Sequence, residues 1–196
     1  MGDNVIAAHS VHLTPNDIQL IAKRKVGVSH NPESNMKLAS GIAPIPELLD
    51  AGAKIGLGTD GAASNNDLNM FEEMDTAAML HKVFAKNSSV VNAKSVVEMA
   101  TIGGARVLGL DKEIGSIEKG KRADIIIIDL HKPHLTPLYN PYSQIVYAMD
   151  GADVETVIIE GRIVMRDHKI LTVNEEKIIQ DMNALAAKIR EESRNK

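Results

Sequence analysis

The 196 residues include no cysteine, which excludes disulfide cross-links and thiolate-held metals, so a metal here would have to be bound by His, Asp, Glu or water. That absence also suits a reducing compartment, and a cytoplasmic location is expected. No apolar run approaches the roughly 20 residues that cross a bilayer. Met1-Gly2-Asp3-Asn4 has no basic stretch followed by an apolar one, so neither a membrane partner nor secretion is expected. A surplus of one charge is missing as well: 22 Lys and Arg against 26 Asp and Glu give a formal net charge of −4, and nothing in that balance calls for nucleic acid. Long linkers and low-complexity tracts are absent too.

What is present is a repeated theme. Val5-Ile6-Ala7-Ala8 ends in His9, Val26-Gly27-Val28-Ser29 ends in His30, and Lys54-Ile55-Gly56-Leu57-Gly58-Thr59 ends in Asp60. Each is a short apolar run closed by a residue able to bind a ligand. Between the first two lies a helix signal, with Thr14 as N-cap, Pro15 at the first helical position, and Ile18, Leu20 and Ile21 as the apolar stripe. Between the second and third, Pro44 to Leu49 reads as another helix, stopped near Gly52. Strand, helix, strand, helix, strand implies parallel pairing, because each crossover returns the chain to the same end of the sheet. His9, His30 and Asp60 then share the C-terminal edge, where α/β folds place their sites.

Beyond Asp60, the loop Gly61-Ala62-Ala63-Ser64-Asn65-Asn66 precedes a long amphipathic helix with Leu68, Phe71, Met74, Ala78 and Val83 near one face. Met70, Met74 and Met79 read as its packing residues. A second helix is expected from about Ala93 to Leu108, stopped by Gly109. From Gly115 the pattern turns to β: Ala123 to Asp129 reads as a buried strand, and Thr156–Ile159 with Arg162–Met165 as a hairpin around Glu160-Gly161. From about Asn174 a polar helix carries Ile178, Met182, Leu185 and Ile189 on one side. A three-strand parallel sheet leaves unpaired edges, which argues for further strands N-terminal to it.

Three ordered stretches, Ala8-His9-Ser10-Val11-His12-Leu13, Ser29-His30-Asn31-Pro32-Glu33-Ser34-Asn35-Met36-Lys37-Leu38 and Gly58-Thr59-Asp60-Gly61-Ala62-Ala63-Ser64-Asn65-Asn66, resemble the sixth, seventh and eighth strand ends of the amidohydrolase barrel. The resemblance is strongest to the methylthioadenosine/S-adenosylhomocysteine deaminases, and Gly115 to Asp129 resembles the segment entering that family's C-terminal β unit. It implies an α/β chain that forms the C-terminal part, the last three strands, of a (β/α)8 TIM barrel. Residues 1–112 would be that barrel part, 113–172 a small β-sandwich-like appendage, and 173–196 a C-terminal helix. A complete barrel typically needs about 250 residues.

The implied chemistry is metal-dependent hydrolytic deamination of an adenine nucleoside, with a divalent metal, Zn²⁺ by expectation, as cofactor and the nucleoside as small-molecule partner. By the resemblance, Asp60 is a metal ligand that also takes the proton of the attacking water and touches substrate. His9 hydrogen-bonds the hydroxide and the developing tetrahedral centre. Ser64 is carried as a substrate contact. The family's remaining ligands, a His-x-His pair and a further His, lie on strands this sequence does not contain, so the chain alone is expected to be inactive.

Each residue also has a plainer reading. Asp60 alone could be a turn residue of Thr-Asp-Gly, His9 a structural His at a strand end, and Ser64 a helix cap. His30 is assigned a structural or substrate-loop role. His12, His81, His131, His134 and His168 are read as surface residues, and Lys119-Gly120-Lys121-Arg122 as a solvated turn. Two rival functions follow: another aminohydrolase of the guanine deaminase or chlorohydrolase type, or a non-catalytic assembly module. For association, a homo-oligomer and pairing with a separate N-terminal half are both carried.

Overall fold

The computed structural model describes residues 2–194. Three strands, β1 (Ile6–Ala8), β2 (Gly27–His30) and β3 (Lys54–Leu57), form a parallel sheet in the order β1-β2-β3, with Ile6 opposite Gly27 and Gly27 opposite Lys54. Helix α1 (Pro15–Lys23) starts as its capping signal demands: Asp17 N donates to Thr14 Oγ1 at 3.2 Å, and Thr14 N donates back to Asp17 Oδ2 at 2.9 Å. Ile18 and Ile21 enter the core, whereas Leu20, expected on the same stripe, is exposed.

Between β2 and β3 the chain forms two helices, not one. The unexpected α2 (Pro32–Lys37) precedes the expected α3 (Ile45–Asp50). Pro32 sits at the start of α2, where its missing N–H is no loss because helix-start amides have no intrahelical acceptor. Asn31-Pro32 is therefore a helix start.

After β3 come a single turn, α4 (Ala62–Asn65), and the long α5 (Met70–Ala85), which buries Phe71, Met74, Ala77 and Ala78. Leu68 lies outside α5, and Leu68, Met79 and Val83 are exposed, against their expected packing. The next helical run is continuous as expected but widens into a π turn at Met99–Gly103 between α6 (Ala93–Glu98) and α7 (Gly104–Leu108), and Gly109 ends it at φ +72°. Glycine is required where α7 meets the sheet: a Cβ on Gly56 would stand 2.8 Å from Gly104 Cα.

A second sheet is antiparallel, in the order β4 (Ile125–Ile128), β5 (Val154–Ile159), β6 (Arg162–Arg166), β7 (Lys169–Ile170). The hairpin turns at Glu160 and Gly161, both at positive φ, as a two-residue primed turn requires. Among the described residues this β unit holds one sheet. Helix α8 (Pro141–Tyr147) packs on α5 and α6, and its Val146, with Leu135 and Val154, joins the same hydrophobic cluster as Val28, Ile55 and Met74. β4 is less buried than its four isoleucines suggest, since Ile126 and Ile127 are about half exposed. Helix α9 (Glu175–Arg194) buries nothing, and its apolar stripe stays open.

The expected solvated turn at Lys119–Arg122 is a fastening point. Lys121 Nζ donates to Asp111 O and Ser116 Oγ, and the Arg122 guanidinium spans Glu113 and Glu160 at 2.7 Å each. No described helix is long and apolar enough to cross a membrane.

Candidate active site

Because the first sheet is parallel, the residues that follow its strands meet along one edge. His9 N still donates to Ser29 O at 2.9 Å, extending the ladder one residue past β1. His9 and Asp60 both take left-handed backbone conformations, at φ 63° and φ 60°, which turn the chain sharply at the strand ends. Their side chains come together: His9 Nε2 lies 3.9 Å from Asp60 Oδ2.

Asp60 is held from both sides. Ser64 Oγ donates to Asp60 Oδ2 at 2.7 Å and Ser34 Oγ at 2.8 Å. These two hydroxyls, with a backbone bond from Gly61 and a smaller attraction from His9, keep the carboxyl below the ordinary carboxylate range, so it stays an anion. On the other side of the site His9 Nδ1 and Asn35 Oδ1 lie 2.9 Å apart. Ser34 and Asn35 are both buried on α2, so one helical turn grips both His9 and Asp60. Neither was expected from the sequence. The available signal was the run of polar side chains immediately after a strand end.

Behind Asp60 lies a further layer. Asn65 Nδ2 donates to Thr59 O at 2.9 Å and to Glu73 Oε1 at 2.7 Å, and also lies 3.2 Å from Glu33 Oε2. Thr76 Oγ1 donates to Glu33 Oε1. Glu73 is fully buried, and burial together with the nearby Glu33 charge pushes its carboxyl up to about 8. At neutral pH it is therefore largely a neutral acid.

His9, Val11, His12, Leu38 and Asp60 line a cleft of about 350 Å³. His12 thus belongs to the wall of the site. Of the histidines read as surface residues, His12, His131, His134 and His168 are exposed, whereas His81 is buried. On α5 it pairs with His30 away from the cleft, leaving His30 the structural part of its expected role. His134 Nε2 contacts the buried Asp153 at 3.0 Å.

The donors at the cleft are of the kind zinc takes, a carboxylate oxygen and an imidazole nitrogen, but a zinc site needs three or more protein ligands. Among the described residues, the one group of three clustered ligand side chains is Glu33, Asp67 and Glu72, which includes neither Asp60 nor His9 and offers no nitrogen. Asp60 fits a metal as one member of a larger ligand set.

The chain belongs to the amidohydrolase family, whose profile matches residues 1–164. It is 54% identical over 187 residues to the 5-methylthioadenosine/S-adenosylhomocysteine deaminase of Desulforudis audaxviator, covering 95% of this chain and 44% of that protein. It is 48% identical to a 5'-deoxyadenosine deaminase of Methanosarcina acetivorans, covering 96% of this chain and 43% of the relative. Among solved structures it resembles an adenosine deaminase from Xanthomonas campestris with bound zinc (TM-score 0.94, 40% identity, 96% of this chain and 43% of that one). It also resembles the zinc complex of atrazine chlorohydrolase from Arthrobacter aurescens (TM-score 0.86, 28% identity, 94% and 41%). The chain thus spans less than half the length of these relatives.

Proposed function

We propose that this chain works as the C-terminal part of a hydrolytic deaminase of adenine nucleosides, of the methylthioadenosine/S-adenosylhomocysteine type, and supplies the last three strands of its (β/α)8 barrel. The observation that carries the reading is the convergence of His9 and Asp60, 3.9 Å apart, at the C-terminal edge of a parallel sheet. Relatives named for adenine-nucleoside deamination share 54% and 48% identity with the chain, against 28% for the chlorohydrolase, which favours the nucleoside over a triazine.

Asp60 would hold a divalent metal, with zinc the fitting choice, and its carboxylate, kept anionic by Ser34 and Ser64, takes a proton from the attacking water. When bound, the metal supplies a hydroxide nucleophile near neutral pH by lowering the pKa of its water to about 7. His9 turns Nε2 toward Asp60, where it hydrogen-bonds the water and the tetrahedral centre that forms on the ring. Ser64 stands beside Asp60 at the substrate. Its single proton is directed at Asp60 Oδ2 or Gly61 O, so toward substrate it can only accept.

The test is a chimera in which the N-terminal segment of the Desulforudis audaxviator deaminase is joined to this chain. Zinc uptake and ammonia release from methylthioadenosine, S-adenosylhomocysteine or 5'-deoxyadenosine are expected. A folded, zinc-loaded chimera that deaminates none of the three overturns the substrate assignment.

A further inference from the structure

Building on the catalytic role given to His9, we propose that Asn35 is a positioning residue that fixes the His9 imidazole in its Nδ1–H tautomer, so that Nε2 faces the attacking water beside Asp60 as a hydrogen-bond acceptor. The short contact is between His9 Nδ1 and Asn35 Oδ1, at 2.9 Å. A carbonyl oxygen only accepts, so the ring nitrogen facing it must carry the hydrogen. With one proton on a neutral ring, Nε2 is left with its lone pair.

No hydrogen bond holds a proton on Nε2 in competition. Asp60 Oδ2, the polar atom facing it, is 3.9 Å away, beyond hydrogen-bond reach, and already receives the hydroxyls of Ser34 and Ser64. The support for the ring is rigid. Asn35 is 2% exposed on α2, and its neighbour Ser34 is tied to Asp60. The same helical turn thus sets the distance between the two reactive groups and the proton inventory of one of them. Without Asn35, His9 sits on a left-handed turn with no second hydrogen-bond partner for its ring.

The opposite amide orientation would place Nδ2, which has no partner in the structure, against His9 Nδ1 and would leave the proton on Nε2. The experiment separates the two. Two-bond ¹H–¹⁵N correlation spectra of the labelled 196-residue chain, at mildly alkaline pH, should show His9 Nδ1 with a pyrrole-type shift and Nε2 with a pyridine-type shift. In Asn35→Asp, whose carboxylate can still accept, that pattern should persist; in Asn35→Ala it should move to a mixture dominated by Nε2–H. The deaminase chimera carrying Asn35→Ala should lose about 10–100-fold in kcat, the usual effect of removing such an orienting partner. Its KM and zinc content should change little, and Asn35→Asp should recover most of the loss. A wild-type ring already protonated on Nε2 overturns the proposal, and so does an Asn35→Ala chimera with unchanged kcat. The tautomer is read without any turnover, so a wild-type chimera that binds zinc but deaminates nothing counts against the functional reading alone.

Discussion

The imidazoles of His30 and His81 meet Nε2 to Nε2 at 2.9 Å in the core, joining the end of β2 to the C-terminal half of α5. One ring must donate and the other accept, so the hydrogen bond is lost once both rings are protonated. Burial, reinforced for His30 by His81 and for His81 by Lys82, lowers the two to about 3 and about 4.

This sets an acid limit on stability. In the unfolded chain both rings take up protons near the ordinary value of 6.5, while the folded chain excludes them until far lower pH. Between pH 6.5 and 4 the unfolded state therefore binds more protons, and stability falls as pH falls, by up to about 1.4 kcal/mol per pH unit for each ring. Urea unfolding at intervals from pH 7.5 to 4.5 should show this decline, and in His81→Gln the slope should be about half as steep, since one of the two titrating rings is gone. A variant slope equal to the wild-type slope would show that the pair does not govern acid sensitivity.

Glu73 acts in the opposite direction. Its carboxyl is raised from 4.5 to about 8 by burial and by Glu33, so between these values the folded chain holds a proton that the unfolded chain has released. Stability is then lost as pH rises from 4.5 to 8. Glu73→Gln keeps an oxygen for Asn65 but removes the titration. It should unfold at higher urea concentration than wild type at pH 8 and at nearly the same concentration at pH 4.5. Equal midpoints at pH 8 would count against a neutral Glu73.

In the zinc-loaded chimera, Asp60 and His9 should separate by metal content. Asp60→Asn keeps the shape but removes the charge, so zinc and turnover should fall together. His9→Ala should keep its zinc while turnover drops by about 10²–10³, the usual effect of removing one preorganised hydrogen-bonding group. Zinc analysis beside ammonia release decides this, and complete zinc loss in His9→Ala would make His9 a ligand.

Taken alone, the chain should self-associate. Among the described residues no strand lies beside the outer edge of β1, and α9 leaves Ile178, Met182, Leu185 and Ile189 about half exposed. Light scattering across a range of concentrations should show a mass that rises with concentration, and without its partner segment the chain should deaminate nothing. A monodisperse monomer with a cooperative melt is the contrary result.

Features governed by neighbouring residues were legible in the sequence. The Thr14-Pro15 helix start, the Glu160-Gly161 hairpin and the Gly109 stop each follow from backbone preferences over a few residues. The shared edge of His9, His30 and Asp60 also followed, because parallel crossovers leave no other arrangement of the strand ends. The fate of each side chain at that edge did not. His30 turns inward to His81, 51 residues away, while His9 turns to Asn35 and Asp60 to Ser34, each 26 residues away. Leu20 and Val83 match the helical period yet lie exposed, and Glu73, charged by type, is sealed in the core. Local sequence thus determined which strand ends meet at one edge, since backbone preferences act over a single turn. Only the tertiary structure decided which of their side chains face the cleft, because burial and long-range hydrogen bonds depend on which distant segments close over each one.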